Sequence, residues 1–282
     1  MTRQRFFSVQ AIAVWLFTLF SLSPAFADSP KVLTFGIVPQ QSPITLVQIW
    51  GPILSEVGEE AGVKLVFKTA PDIPTFEERL AKGEYDIAYM NPYHYIEFHK
   101  KPGYLPLLHA RDQQLRGILV TRRDAPYHSI ADLSGQTLAF PGPAAFAASI
   151  VIRAEFARLH VPITPAYVSS HDSVYLGVAK GLFPAGGGIM RTFNALSPTI
   201  RDQLHVIYVS QGCTPHAIAI LPDIPAETAA RIQAAFIGLD KSEQGRQLLA
   251  PMEIKGWMAA KDTDWDDVRG LFKVLSVKPF AH

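Results

Sequence analysis

Short β-branched and aromatic runs alternate with stretches of helical periodicity along almost the whole chain, and this alternation confines the fold to the α/β class, a mainly parallel sheet with helices on its faces. Residues 31–38 read as a first strand, and Pro39-Gln40-Gln41-Ser42-Pro43 as the loop at its carboxyl end. Residues 46–60 carry apolar side chains at helical spacing, with Gly62 as the stop. A second strand is predicted over 63–69, a helix over 75–82 opened by Asp72-Ile73-Pro74 and closed by Gly83, and a third strand over 87–90. These steps look like half of a doubly wound lobe. The run 115–121 is long enough to carry the chain into a second lobe. There a strand at 137–140, a helix from the Pro141–Phe146 exit to about His160, a strand at Tyr167-Val168 and a helix over 171–180 repeat the character. Strands at 204–209 and 217–221 would carry the chain back, and helices at 226–237, 242–249 and 265–271 would finish on the first lobe. The expectation is two lobes joined by two crossings, with lobe 1 at residues 28–117, lobe 2 at 118–211 and the return at 212–282. Such an arrangement leaves a cleft able to close by hinge motion.

The first 27 residues read as a secretory signal: Arg3 and Arg5 form a basic start, residues 11–22 are almost wholly apolar, and Ala25-Phe26-Ala27 offers a small-residue cleavage site. The alternative is a retained anchor, although the apolar core is short for a span of about 20 residues. No later segment holds 18 uninterrupted apolar residues. Removing the signal takes two of the 26 basic residues and none of the 25 acidic ones, so 24 face 25 and the net charge becomes −1. That balance, without a basic run, gives no support to a nucleic-acid partner, and none is expected. The one cysteine, Cys213, rules out an intramolecular disulfide in a compartment that would permit one. Packing alone must hold the fold.

The stretch Gly83-Glu84-Tyr85-Asp86-Ile87-Ala88-Tyr89-Met90-Asn91-Pro92-Tyr93 is a turn, an apolar strand and a polar-aromatic exit. In open α/β sheets ligands are met beyond the carboxyl ends of strands, so Asn91 and Tyr93 stand where a small molecule would be held. This segment resembles the Gly-x-x-Asp-Ile-Ala strand and aromatic loop of the phosphonate/phosphite (PhnD-like) family of ABC-transporter periplasmic substrate-binding proteins. Gly36-Ile37-Val38-Pro39 looks like the family's first strand and loop, and Asp132-Leu133-Ser134-Gly135-Gln136-Thr137-Leu138-Ala139-Phe140 is similar to its Asp-Leu-x-Gly-Lys-x-Val-Ala strand. Ser170-His171-Asp172 resembles its Ser/Gly-His-Asp turn, and Ala179-Lys180-Gly181 its Asn-Gly turn. The likeness implies a type II periplasmic binding protein with a two-crossing hinge. It further implies a monomer in the periplasm that carries a small anion to an inner-membrane ABC permease, with no cofactor and no catalysis.

The same resemblance implies a site. Family members seat a phosphorus oxyanion on a Ser/Thr-rich turn opening the second lobe's first helix, where unpaired N–H groups and the helix dipole attract an anion. Here that turn is Pro141-Gly142-Pro143-Ala144-Ala145-Phe146-Ala147-Ala148-Ser149, in which alanines replace the hydroxyls. The N–H groups of Ala144, Ala145 and Phe146 remain to cradle an oxyanion; an ordinary Ala-rich helix start is the alternative. His171 resembles the family histidine that reaches the ligand, and Tyr93 its aromatic loop residue. Where the family has an Asp-x-x-x-Val-Asp strand, this chain has Pro184 and the triple glycine 186–188 before Arg191 and Thr192. Those glycines are expected as a turn of unusual φ with close backbone approach, and Arg191 supplies a planar donor fork for carboxylate or oxyanion. With the acid absent, an aminoalkylphosphonate is disfavoured. Gln40, after the first strand, completes the expected set.

Other chemistry is thinly supported. His94 and His99 are five apart, off the spacing that puts two imidazoles on one helical face. Cys213 and His216 could lend a thiolate and an imidazole to a soft metal or to arsenite, but zinc expects four ligands, and a small buried thiol is the alternative. No nucleophile elbow, P-loop or dinucleotide fingerprint occurs. A sensor of the same fold, signalling to a membrane kinase or cyclase and binding arsenite or a carboxylate, stays open beside the transporter.

Overall fold

The computed structural model describes residues 1–2 and 30–275, so the leader expected at residues 1–27 lies, apart from its first two residues, outside the described residues. The chain enters through β1 (Lys31–Ile37) and continues by α1 (Pro43–Ala61) to β2 (Val63–Lys68). The Ser42 hydroxyl caps α1 by accepting from the Thr45 N–H at 3.2 Å, Pro43 fills the first turn, and Gly62 ends it at φ 66°. Asp72 opens α2 (Ile73–Ala81) in the same way, and β3 (Ile87–Met90), α3 (Pro92–Lys100) and β4 (Leu105–Ala110) follow.

The second half is built from β5 (Gly117–Arg122), β6 (Thr137–Phe140), a π-helical turn (Phe146–Val151) running into α4 (Ile152–Arg158), β7 (Thr164–Tyr167), α5 (His171–Ala179), β8 (Ala185–Ile189), α6 (Met190–Asn194), α7 (Pro198–Arg201) and β9 (Leu204–Val209). The chain then returns through β10 (Ala217–Ile220), α8 (Ala226–Gly238), α9 (Glu243–Leu249), β11 (Trp257–Ala259) and α10 (Asp266–Leu275). Among the described residues no helix is long and apolar enough to cross a membrane.

Two sheets result. The first has the order β11-β4-β10-β3-β1-β2 and the second β7-β6-β8-β5-β9. Four of the six and four of the five strands point the same way, and the remainder supply the antiparallel pairings of β10, β11 and β5. The chain crosses between the sheets at residues 111–116 and again at 210–216. The crossings pair with each other: Leu115 and Cys213 exchange N–H···O bonds of 2.8 and 3.0 Å, and Gly117 N–H donates to Ser210 Oγ at 2.8 Å.

An aromatic core made by Phe35, Trp50, Tyr89, Phe236 and Trp257 backs the first sheet, with Trp50 and Tyr89 ring centres 4.7 Å apart. In the second sheet β5 is buried on both faces. Ile118 and Val120 pack against Val174 and Val178 of α5, while Leu119 packs with Phe140 and Phe156.

The triple glycine corrects one expectation. Residues 186–188 are the middle of β8, paired with β5, and none of them lies in the left-handed region. Small size, rather than unusual φ, is what the site demands: a Cβ on Gly187 would collide with Ala148 O and come within 2.8 Å of the Phe140 ring. The strands β4 and β11 were not expected. Pro106 interrupts the signal of the first, and the second has three residues. The helix expected to run evenly to about His160 opens instead as the π turn and ends at Arg158.

Candidate functional site

Each expected site residue stands on the segment that leaves the carboxyl end of a strand or on the helix it opens. Gln40 follows β1 in a short loop pinned by its own N–H to Val38 O at 2.8 Å. Asn91 follows β3 and caps α3, its Oδ1 accepting from His94 N–H at 2.9 Å. Ala144 and Ala145 lead from β6 into the π turn that Phe146 begins. His171 is the first residue of α5, behind the Ser170 cap, and Arg191 and Thr192 lie in α6 after β8. The strands set the direction of these segments and the caps fix where each helix starts.

The segments from the two sheets meet along one seam. Asn91 Nδ2 donates to Ala144 O at 3.1 Å, His171 N–H to Gln40 O at 3.0 Å, and Ser42 N–H to Asp172 Oδ2 at 3.0 Å. Ile73 packs with Ala145 and Ala148 across the same seam. At its centre Arg191 Nη2 donates to Gln40 Oε1, and Gln40 Nε2 meets His216 Nε2 at 2.9 Å. His216 in turn stacks on Tyr89 with ring centres 5.0 Å apart and planes at 17°. His171 Nδ1 is 3.0 Å from Thr192 Oγ1, which is also 2.9 Å from Tyr175 Oη.

Burial sets the electrostatics. His171 is 2 % exposed, and burial, followed by the neighbouring Arg191 guanidinium, holds its imidazole down to a pKa of about 3. His216 is held well below its ordinary range by burial and then by Arg191. Burial pushes the Tyr89 phenol up. At neutral pH the centre of the seam is therefore one guanidinium among neutral hydrogen-bonding groups, an arrangement that favours a small anion. Farther along the seam, burial raises the Asp172 carboxyl, against the pull of the Ser42 N–H.

The structure thus brings Gln40, Asn91, Ala144, Ala145, Phe146, His171, Arg191 and Thr192 to the seam. A cavity of only about 10 Å³ is lined by Gln40, Asn91, Ala145, Phe146, His171 and His216 among others. A second, of about 110 Å³, lies toward the crossings and is lined by Tyr89, Arg116, Arg191, His216 and Glu253 among others. Tyr93 packs on Phe272 with ring centres 5.0 Å apart, and the same Phe272 ring lies 5.8 Å from that of Phe146. Of the three N–H groups expected to cradle an oxyanion, that of Ala145 turns back to Gly142 O at 3.3 Å. His216, which the sequence offered only beside Cys213 as half of an incomplete soft-metal pair, meets Gln40 instead. It stands one residue before β10, which runs antiparallel to β3 and so brings its amino end to the edge where β3 ends.

The remaining candidates make packing and hydrogen-bond contacts away from Arg191. Cys213 is buried, its S–H directed to Leu115 O at 3.4 Å, and burial with the nearby Asp267 pushes its thiol up to about 12. His94 is fully buried and pairs with Glu77 Oε1 at 2.9 Å, while His99 Nδ1 meets Tyr104 O at 2.8 Å. Among the described residues no group of three or more His, Cys, Asp or Glu side chains could hold a metal ion.

A family model described as the periplasmic substrate-binding protein of phosphonate ABC transporters matches residues 35–265. Among solved structures the chain is similar to a binding protein component of an ABC phosphonate transporter from Pseudomonas aeruginosa, at 19% identity and a TM-score of 0.80, covering 88% of this chain and 87% of that one. It is equally similar in fold to PhnD1 from Prochlorococcus marinus in complex with methylphosphonate, at 14% identity and a TM-score of 0.80, covering 88% and 99%. A periplasmic binding protein of high arginine specificity from Salmonella typhimurium matches at 16% identity and a TM-score of 0.58, covering 79% and 99%. The shared fold is that of type II periplasmic binding proteins.

Proposed function

The chain belongs to the family of periplasmic substrate-binding proteins of phosphonate ABC transporters, and from that premise we propose that it captures a small anion between two lobes and hands it to an inner-membrane permease. The family is a transporter component in the periplasm rather than an enzyme, and it favours transport over the sensor reading. In this proposal lobe 1 comprises residues 28–117 and 212–282, lobe 2 residues 118–211, and the leader 1–27 is removed on export.

The observation that carries the reading is the Arg191 guanidinium, half-buried at the seam and surrounded by uncharged Gln40, His171 and His216. Among the described residues no carboxylate is hydrogen-bonded to that cation, which gains most from an anionic acceptor. The anion would be held by Arg191, by N–H groups at the Ala144–Phe146 turn and by the amide of Asn91, contacts drawn from both lobes that favour closure. Phosphonate, phosphite and phosphate are the leading candidates, methylphosphonate being the molecule bound by the Prochlorococcus marinus protein.

Thermal unfolding of the leader-free protein against phosphite, phosphate, methylphosphonate, 2-aminoethylphosphonate and small carboxylates tests this. A true ligand at a hundred times its Kd should add about 2.7 kcal/mol of stability. The ammonium-bearing phosphonate should stabilise less than methylphosphonate. Arg191→Ala should weaken the best anion by about 3 kcal/mol, roughly a hundredfold in Kd. Binding that survives this substitution unchanged refutes the role given to Arg191.

A further inference from the structure

Gln40 spends all its hydrogen-bonding groups of interest inside the seam, where it is 5 % exposed. Its main-chain oxygen accepts from His171 N–H at 3.0 Å, its Oε1 accepts from Arg191 Nη2, and its Nε2 lies 2.9 Å from His216 Nε2. The partners fix the orientation of the amide. A guanidinium only donates, so the oxygen must face Arg191, and the NH2 must then donate to an unprotonated nitrogen of His216. Gln40 therefore ties the loop after β1 to α5, to α6 and to the second crossing. It gives the cation at the seam the kind of oxygen that an anion would bring. The adjoining cavity, at about 10 Å³, holds at most one water. An oxyanion fits in this cavity, beside the Ala145–Phe146 turn, only if a side chain leaves, and Gln40 is the one whose departure frees the guanidinium on that side; on its other side Arg191 lines the cavity of about 110 Å³ toward the crossings.

Resting on the anion-binding reading of Arg191, we propose that the Gln40 side chain is a built-in competitor for the ligand: it occupies Arg191 in the closed unliganded protein and so sets the affinity that an incoming oxyanion must exceed. When Gln40 swings out, the Arg191 fork becomes free. His216 can then move its proton from Nδ1 to Nε2 and donate to the same oxyanion, so the donor that Gln40 supplied to the histidine is replaced by an acceptor that the anion supplies. Gln40 is thus an affinity-determining residue whose contribution opposes binding.

Calorimetric titration of methylphosphonate into the wild type, Gln40→Ala, Gln40→Met, Gln40→Glu and Arg191→Ala, with thermal unfolding of each unliganded protein, tests the proposal. Gln40→Ala is expected to bind about tenfold more tightly than the wild type while its unliganded form melts lower, because one hydrogen bond to a charged group no longer competes. Gln40→Met keeps the volume and should tighten binding likewise. Gln40→Glu places a carboxylate on Arg191 and should bind at least about tenfold more weakly. A residue with a merely structural role would lower stability and affinity together. Equal or weaker binding by both Gln40→Ala and Gln40→Met overturns the proposal while leaving the anion-binding reading intact. Undiminished binding by Arg191→Ala, or no binding by the wild type and the Gln40 variants alike, overturns both.

Discussion

At the residue scale the seam couples burial to protonation. The native pKa of His171 is about 3, below the ordinary histidine value near 6.5, so between these limits the unfolded chain binds a proton that the native chain refuses. Stability should therefore fall as pH drops below about 6.5, by up to about 1.4 kcal/mol per pH unit for this group, with His216 acting in the same direction. Asp172, raised by burial, acts oppositely, its contribution being lost as pH rises. Urea unfolding at pH 7.5 and 5.0 measures the effect. His171→Asn should flatten the dependence, and an unaltered slope would show that the proton uptake lies elsewhere. The positions of Gln40 and Asn91 were legible from strand ends, and that of Arg191 from the glycine run before it. Their partners were not, since the contact of Arg191 with Gln40 spans 151 residues and no local pattern encodes it.

At the element scale the longer helices were well read, whereas α3, α6 and α7 were not expected, although several helix starts are marked chemically. Ser42, Asp72, Asn91, Ser170 and Ser242 each accept from a backbone N–H of the helix that follows. The strand β8 was misread because three glycines carry a strong turn signal, which packing overrides here. Its backbone passes so close to Ala148 and Phe140 that a methyl group does not fit. Gly187→Ala should therefore destabilise the protein by about 3 kcal/mol in urea unfolding, at the upper end of overpacking costs. A loss below about 0.5 kcal/mol would show that the π turn and Phe140 can move aside. That π turn was invisible in the sequence, since Ala-rich helix starts look alike whichever ladder they adopt.

At the scale of the whole molecule, the paired crossings offer a place to sense movement between the sheets. Cys213, the single cysteine, is buried on the second crossing with its thiol raised to about 12. Its reaction with a disulfide reagent at pH 8 should be at least about a hundredfold slower than in the unfolded chain, because the thiolate is scarce and covered. A bound anion that holds the seam shut should slow it further. Rapid labelling unaffected by methylphosphonate would mean that the crossing opens independently of the seam. The sequence by itself determined the alternation of strands and helices, the helix caps, the near-neutral charge and the strand ends at which polar residues collect, all of which are local or compositional properties. Only the tertiary structure decided that Tyr93 packs on Phe272, that His216 stands beside Gln40 rather than serving Cys213, and that Arg191 is met by an amide of the same chain. Those outcomes depend on which strands pair across the two crossings, and long-range pairing is chosen by the packing of the whole core rather than by the residues on either side of each contact.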